Sequence, residues 1–178
     1  MKGIVMNLLN EMVEQEMGLA AWNSALEEAC LTGVYTAAGR YDDRELLSLV
    51  SIFAARTGKP EQELVSAFGK FMFPAFKERY PQLIDDELGL LDFLSTIEDV
   101  IHVEVLKLYP DASVPTFTYE RPADNRLEMR YDSPRRLCAL AVGLIDGAAE
   151  HYGESYDLQH SPCTHEGAAY CGLNVTVR

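Results

Sequence analysis

The chain has 178 residues, 48% of them hydrophobic and 24% charged, with a net charge of −13 at pH 7; this suits one soluble domain with its own core and excludes fibrous and disordered classes. So acidic a chain argues against binding nucleic acid or an anionic membrane, because both present phosphates. No apolar run approaches the roughly 20 residues of a membrane span, and the apolar start gives way to Asn10, Glu11 and Glu14 before reaching signal-peptide length, so a cytoplasmic protein is expected.

Residues 4–17 place Val5, Leu8, Leu9, Met12 and Val13 on one helical stripe, opposite Asn10, Glu11 and Glu14. A second helix is expected over about 19–31, through Trp22, Leu26 and Cys30. A third runs from near Asp43 to Thr57, with Gly58 as its C-cap. Pro60 suits the first turn of a fourth, with Glu61 and Glu63 at its positive end, and Pro74 is expected to end it. After Pro81 a mostly helical stretch continues to about Tyr109, bent near Gly89. The pattern then changes. Residues 114–120 alternate and contain β-formers, and residues 126–131 alternate strictly, with Leu127, Met129 and Tyr131 on one face. Residues 121–125 read as the turn between them. A helix from about Pro134 to Tyr152 and strands near 155–160 and 168–177 complete a β-β-α-β-β order. The expected fold is α+β, a single domain over 1–178: an N-terminal helical part packs on a C-terminal antiparallel sheet with helices.

Three clusters carry possible chemistry. His102 lies on a helix beside Leu94, Ile97, Ile101, Val105 and Leu106. Taken alone, such a histidine is more often a core residue than a ligand. The functional reading is a neutral imidazole aimed by a rigid helix at the iron of a flat cofactor. The second cluster is Tyr131-Asp132-Ser133-Pro134-Arg135, between strand and helix. Strand geometry would point Tyr131, Ser133 and Arg135 to the same side, where two hydroxyls and a guanidinium suit an anionic tail. The same residues also suit a plain helix start, with Ser133 as N-cap and Pro134 at the first position. The third is Cys138, His160, Cys163 and Cys171. His160 and Cys163 are spaced to share one zinc, a hairpin would return Cys171, and Cys138 would come from the preceding helix. His165 competes for the imidazole position, and buried free cysteines are the plainer alternative. Such an intracellular chain should keep its four cysteines reduced; Cys30 lies apart and reads as core. The acidic run Asp85, Asp86, Glu87 and Asp92 reads as a solvated face rather than a docking site.

Together these pieces resemble the haem nitric oxide/oxygen binding (H-NOX) family, related to the haem module of soluble guanylate cyclase. The resemblance covers essentially the whole chain. It rests on Met1-Lys2-Gly3-Ile4-Val5 at the start, on His102 thirteen residues before Pro115, and on Tyr131-x-Ser133-x-Arg135 followed by Gly143-Leu144-Ile145-Asp146-Gly147. It implies haem b buried between a distal helical subdomain (about 1–60) and a proximal subdomain with the sheet (about 61–178). It implies His102 as the axial ligand, and Tyr131, Ser133 and Arg135 on the haem propionates. Ile4 and Pro115 would press on and distort the macrocycle. Oxygen-binding members carry a tyrosine where this chain has Leu140, and Leu144 follows one turn later. A pocket without a donor favours nitric oxide over oxygen, whose ferrous complex needs one, unless another tyrosine of the chain reaches in. Some bacterial members carry a zinc near the C-terminus, which implies Cys138, His160, Cys163 and Cys171 as ligands and not His165. Structural zinc is favoured there over a redox-sensing thiolate cluster.

The resemblance therefore implies a stand-alone nitric oxide sensor, not an enzyme. Carbon monoxide would be a non-physiological ligand. Release of His102 would free its helix, let the haem flatten against Ile4 and Pro115, and alter the surface offered to a separate signalling protein, such as a histidine kinase or a cyclic-di-GMP enzyme. A peroxidase would need a distal acid/base group that Leu140 and Leu144 do not supply. A haem-free anion-binding or zinc-dependent regulatory module is the remaining alternative.

Overall fold

The computed structural model describes all 178 residues. Four helices come first: α1 (Gly3–Met17), α2 (Leu19–Ala29), α3 (Asp43–Thr57) and α4 (Glu61–Arg79). The ends of α3 are set as the sequence requires. The Asp42 carboxylate accepts from the Arg44 amide at 2.9 Å, and Gly58 closes α3 in the left-handed region at φ 71°. One core joins Met6, Leu8, Leu9 and Val13 of α1 to Trp22 of α2, Leu46 and Leu49 of α3, and Phe68 and Met72 of α4.

The first strand continues through Ala123 into residues read as a turn, and α2 ends at Ala29, with Cys30 left-handed and exposed rather than in the core. Three further boundaries differ from expectation, each for a physical reason. α4 runs through Pro74 to Arg79. The lost amide costs about 3 kcal/mol, but burial of Val65, Phe68, Met72 and Phe73 along the same helix outweighs it. Gly89 is not a bend within a helix; it precedes α5 (Leu90–Ser95). The Glu154 carboxylate accepts from the Leu90 amide at 3.1 Å and would stand 2.7 Å from a Cβ at position 89, so a glycine leaves room for the cap. The helical stretch then passes through a π-helical turn (Ile97–Ile101) into α6 (His102–Leu108).

The remainder is a four-stranded antiparallel sheet, β1 (Thr116–Ala123), β2 (Arg126–Asp132), β3 (Tyr156–His160) and β4 (Cys171–Val177), in the order β1-β2-β4-β3. Leu127, Met129 and Tyr131 of β2 share the inner face with Leu173 and Val175 of β4, and these form a second core with Phe93, Leu94 and Ile145. The third corrected boundary lies between β2 and α7 (Cys138–Tyr152). The helix starts at Cys138, not Pro134, because Arg136 takes a left-handed φ of 54°. Ser133 is thus no N-cap. Its hydroxyl accepts from the Arg135 amide at 3.3 Å in a tight turn.

α7 crosses α4 at backbone contact. A Cβ at Gly143 would lie 1.8 Å from the Ser66 carbonyl oxygen, one at Gly69 2.3 Å from that of Leu140, and one at Gly147 2.6 Å from the Phe73 Cβ. Leu144, beside this crossing, packs against both cores. The Gly143→Ala variant should therefore lose at least about 1–3 kcal/mol of stability by overpacking, read as a lower midpoint in urea unfolding; an unchanged midpoint would show that the crossing is not closely constrained.

Candidate functional site

Between the two cores lies a cavity of about 310 Å³, lined by 33 residues of which 25 are hydrophobic. It collects residues far apart in sequence. α1 supplies Ile4, α6 supplies His102, the loop before β1 supplies Pro115, and α7 supplies Leu140 and Leu144. Tyr131, Ser133 and Arg135 line it as well. All eight residues singled out for this site therefore face one space. They do so by a different route from the one expected: β2 ends at Asp132, so Ser133 and Arg135 reach the cavity from the turn before α7, not by strand alternation.

His102 is mostly buried, with 12% of its side chain exposed. Desolvation holds its pKa below the ordinary value, against the opposing pull of Glu98, so the neutral, metal-binding form dominates at neutral pH. Its Nδ1 lies 3.1 Å from Glu98 Oε2. With the proton on Nδ1, donated to the carboxylate, Nε2 keeps its lone pair. Phe117 packs beside the ring at a centroid distance of 5.8 Å.

The polar end of the cavity is more elaborate than the motif alone suggests. Arg135 donates through Nε to Asp43 Oδ2 at 2.7 Å and through its guanidinium to the Ser113 carbonyl. Arg40 and Lys2 line the same space. Burial pushes the Tyr131 hydroxyl pKa up, against a hydrogen bond from Ser133, so it remains a neutral donor. Sequence reading missed Asp43, Arg40 and Glu98. Asp43 and Arg40 gave no local signal, because they meet the site only through tertiary packing. Glu98 did: it stands one helical turn before His102. Of the tyrosines, Tyr80 and Tyr109 also line the cavity, and their hydroxyls are hydrogen-bonded to each other at 2.8 Å.

The residues fit a flat, largely apolar group with a metal at its centre and anionic tails. The cavity is apolar, one neutral imidazole faces into it, and hydroxyls and a guanidinium gather at one end.

A second site lies where α7, β3 and β4 meet. The ligand atoms of Cys138, His160, Cys163 and Cys171 all lie within 4.8 Å of one another. The Cys138–Cys163 and Cys171–Cys163 sulfur separations are both 3.9 Å, close to the roughly 3.8 Å between thiolates sharing a tetrahedral zinc with ordinary bond lengths. His160 Nε2 is buried without a hydrogen-bond partner, as an unmetallated ligand would be. His165 is engaged elsewhere: its Nε2 lies 2.7 Å from the Arg136 carbonyl oxygen. Burial drives the Cys138 thiol pKa up to about 12. Cys171 is buried too, but hydrogen bonds from Thr164 and the neighbouring thiols leave it below the ordinary value. The four residues can hold one divalent metal.

Comparison with known proteins agrees with the fold. The Haem-NO-binding family profile matches residues 2–160. Among solved structures, an H-NOX protein from S. oneidensis in the Fe(II)NO state is 38% identical, with 100% of this chain and 99% of that chain covered at a TM-score of 0.96. The Fe(II) unliganded H-NOX protein from K. algicida is 30% identical, covering 100% and 97% at a TM-score of 0.92. An oxygen-binding H-NOX domain related to soluble guanylate cyclases shares the fold at 20% identity and a TM-score of 0.84, covering 100% and 95%. No curated protein matches significantly. The chain belongs to the Haem-NO-binding, or H-NOX, family of haem-based gas sensors. No helix is long and apolar enough to cross a membrane.

The second site predicts that reduced protein binds one equivalent of Co2+ with the visible bands of tetrahedral thiolate coordination. Cys171→Ser should weaken this binding strongly. Titration without those bands would show that the cluster is only a packed core.

Proposed function

We propose that this chain is a nitric oxide sensor that holds haem b through His102 and regulates a separate signalling protein. The observation that carries the reading is a single neutral histidine, oriented by a carboxylate, facing an apolar cavity that ends in Tyr131, Ser133 and Arg135. When bound, haem would supply a ferrous iron able to bind a gas and a protein nitrogen. His102 is that nitrogen donor. Tyr131 and Ser133 would donate hydrogen bonds to the propionates, and Arg135 would pair with them as a charge-assisted donor. Ile4 and Pro115 line the same cavity and would be the side chains packed against the ring.

Gas choice follows from what the cavity lacks near α7. Leu140 and Leu144 have no donor for the negative charge on bound oxygen, whereas nitric oxide needs none. Of the two hydroxyls of Tyr80 and Tyr109, one is spent on the other. Carbon monoxide would bind for the same reason without being the signal. The same absence of an acid/base group beside the leucines supports a sensor over a peroxidase.

His102 is also the lever. While it is held, α6 is held. Once released, α6 and the π-helical turn are free to shift against the sheet, and the distal part (about 1–60) moves relative to the proximal part (about 61–178). The partner reading this change is of the kind of a histidine kinase or a cyclic-di-GMP enzyme, in the cytoplasm. At the second site Cys138, His160, Cys163 and Cys171 hold a structural Zn2+ that fixes the end of the sheet. The donor set and its tetrahedral spacing support that ion.

Absorption spectra of the reduced protein, loaded with haem, test this reading. The spectrum should be unchanged under oxygen and should shift under nitric oxide and under carbon monoxide. A stable oxygen complex would overturn the gas assignment. Failure to retain haem would leave an anion-binding module with a metal.

A further inference from the structure

Glu98 sits at the junction of three elements. It belongs to the π-helical turn immediately before α6. Its Oε2 accepts both from His102 Nδ1 at 3.1 Å and from the Phe117 amide of β1 at 2.9 Å. Its own amide donates to the Tyr119 hydroxyl at 3.1 Å, and the Phe117 and Tyr119 rings stack beneath it. β1 is an edge strand of the sheet, so the Phe117 amide points away from its neighbour β2 and would otherwise lack a strand partner. One carboxylate oxygen thus fixes the tautomer of His102, closes the sheet edge and fastens the histidine's helix to β1. The π-helical geometry, which inserts an extra residue into the turn, brings position 98 over the edge of β1.

We propose that Glu98 is a positioning residue that sets how firmly His102 holds its metal and therefore how readily it lets go. This rests on His102 being the axial ligand. A carboxylate accepting the Nδ1 proton gives the imidazole partial anionic character and makes Nε2 a stronger donor. It also holds the ring at one orientation relative to the cavity, and it keeps the ring fastened to the sheet after Nε2 is released. The threshold of the switch is then a property of Glu98 as much as of the gas.

Two variants separate charge from shape. Glu98→Gln keeps an oxygen for the Phe117 amide and the ring but removes the negative charge. Glu98→Ala removes both contacts. In the haem-loaded ferrous protein, the iron–histidine stretching frequency from resonance Raman should fall from wild type to Glu98→Gln and again to Glu98→Ala. Haem retention should fall by roughly 10-fold in the alanine variant. In the haem-free protein, the 15N shifts of His102 should report an Nδ1-protonated ring in wild type and a mixture of tautomers in Glu98→Ala. An unshifted stretching frequency in a correctly folded Glu98→Gln would overturn the proposal and reduce Glu98 to a cap on the sheet edge. If Glu98→Ala fails to fold, Glu98→Gln alone decides. If wild type takes up no haem, it is the sensor reading that fails, and the tautomer measurement still decides whether Glu98 orients the ring.

Discussion

The backbone contact between α4 and α7 fixes the geometry on which everything else depends. Glycines at 69 and 143 bring carbonyls of one helix against the Cα atoms of the other, and Gly147 makes room for the Phe73 side chain. With α7 packed this closely on α4, its first turns sit at a set depth. Those turns carry Cys138, Leu140 and Leu144, one facing the metal cluster and two facing the cavity. α4 in turn contributes Phe68 and Met72 to the helical core and Phe73 to the sheet core. The cavity is the space left where two well-packed cores meet at a rigid crossing, and this is why it can stay open while its walls remain close-packed.

The two candidate sites share a wall. Tyr131 of β2 is paired in register with Cys171 of β4, so a hydroxyl facing the cavity and a thiol of the metal cluster lie side by side across one ladder. Cys138 begins the helix that follows the Tyr131-to-Arg135 segment. A metal closing the four-residue cluster would hold the start of α7 against β4 and so fix the turn from which Ser133 and Arg135 project. Arg135 in turn reaches Asp43 at the start of α3. A chain of contacts therefore runs from the sheet, through the polar end of the cavity, to the N-terminal helices. A change on either side of the cavity has a physical route to the other.

Most of the architecture was legible in the sequence. The helical stripes, the C-cap at Gly58 and the alternation of Leu127, Met129 and Tyr131 are local signals, and each produced the element it promised. The boundaries that differed were decided by contacts distant in sequence. Pro74 did not stop α4 because the burial of its apolar face outweighed the lost hydrogen bond, and α7 started late because Arg136 turned left-handed. The same division holds for the site. The Tyr131-Ser133-Arg135 cluster and the cysteine cluster could be read from residue type and spacing, whereas His102 by itself read as a core residue and stood out only through the family resemblance. Asp43 and Arg40 could not, since nothing near them in sequence marks a ligand site. Glu98 lay between the two: its spacing to His102 was visible, but its second contact, with the Phe117 amide, depends on where β1 comes to lie.

The proposed switch is the detachment of His102 by nitric oxide. Electron paramagnetic resonance of the ferrous nitric oxide complex reads that bond, because a histidine nitrogen still on the metal would add its own splitting to the signal. Detachment gives the three-line pattern of a single nitric oxide nitrogen, unchanged when the histidines carry 15N. A further splitting that responds to 15N-histidine would show His102 still bound, and the switch would then not work by its release.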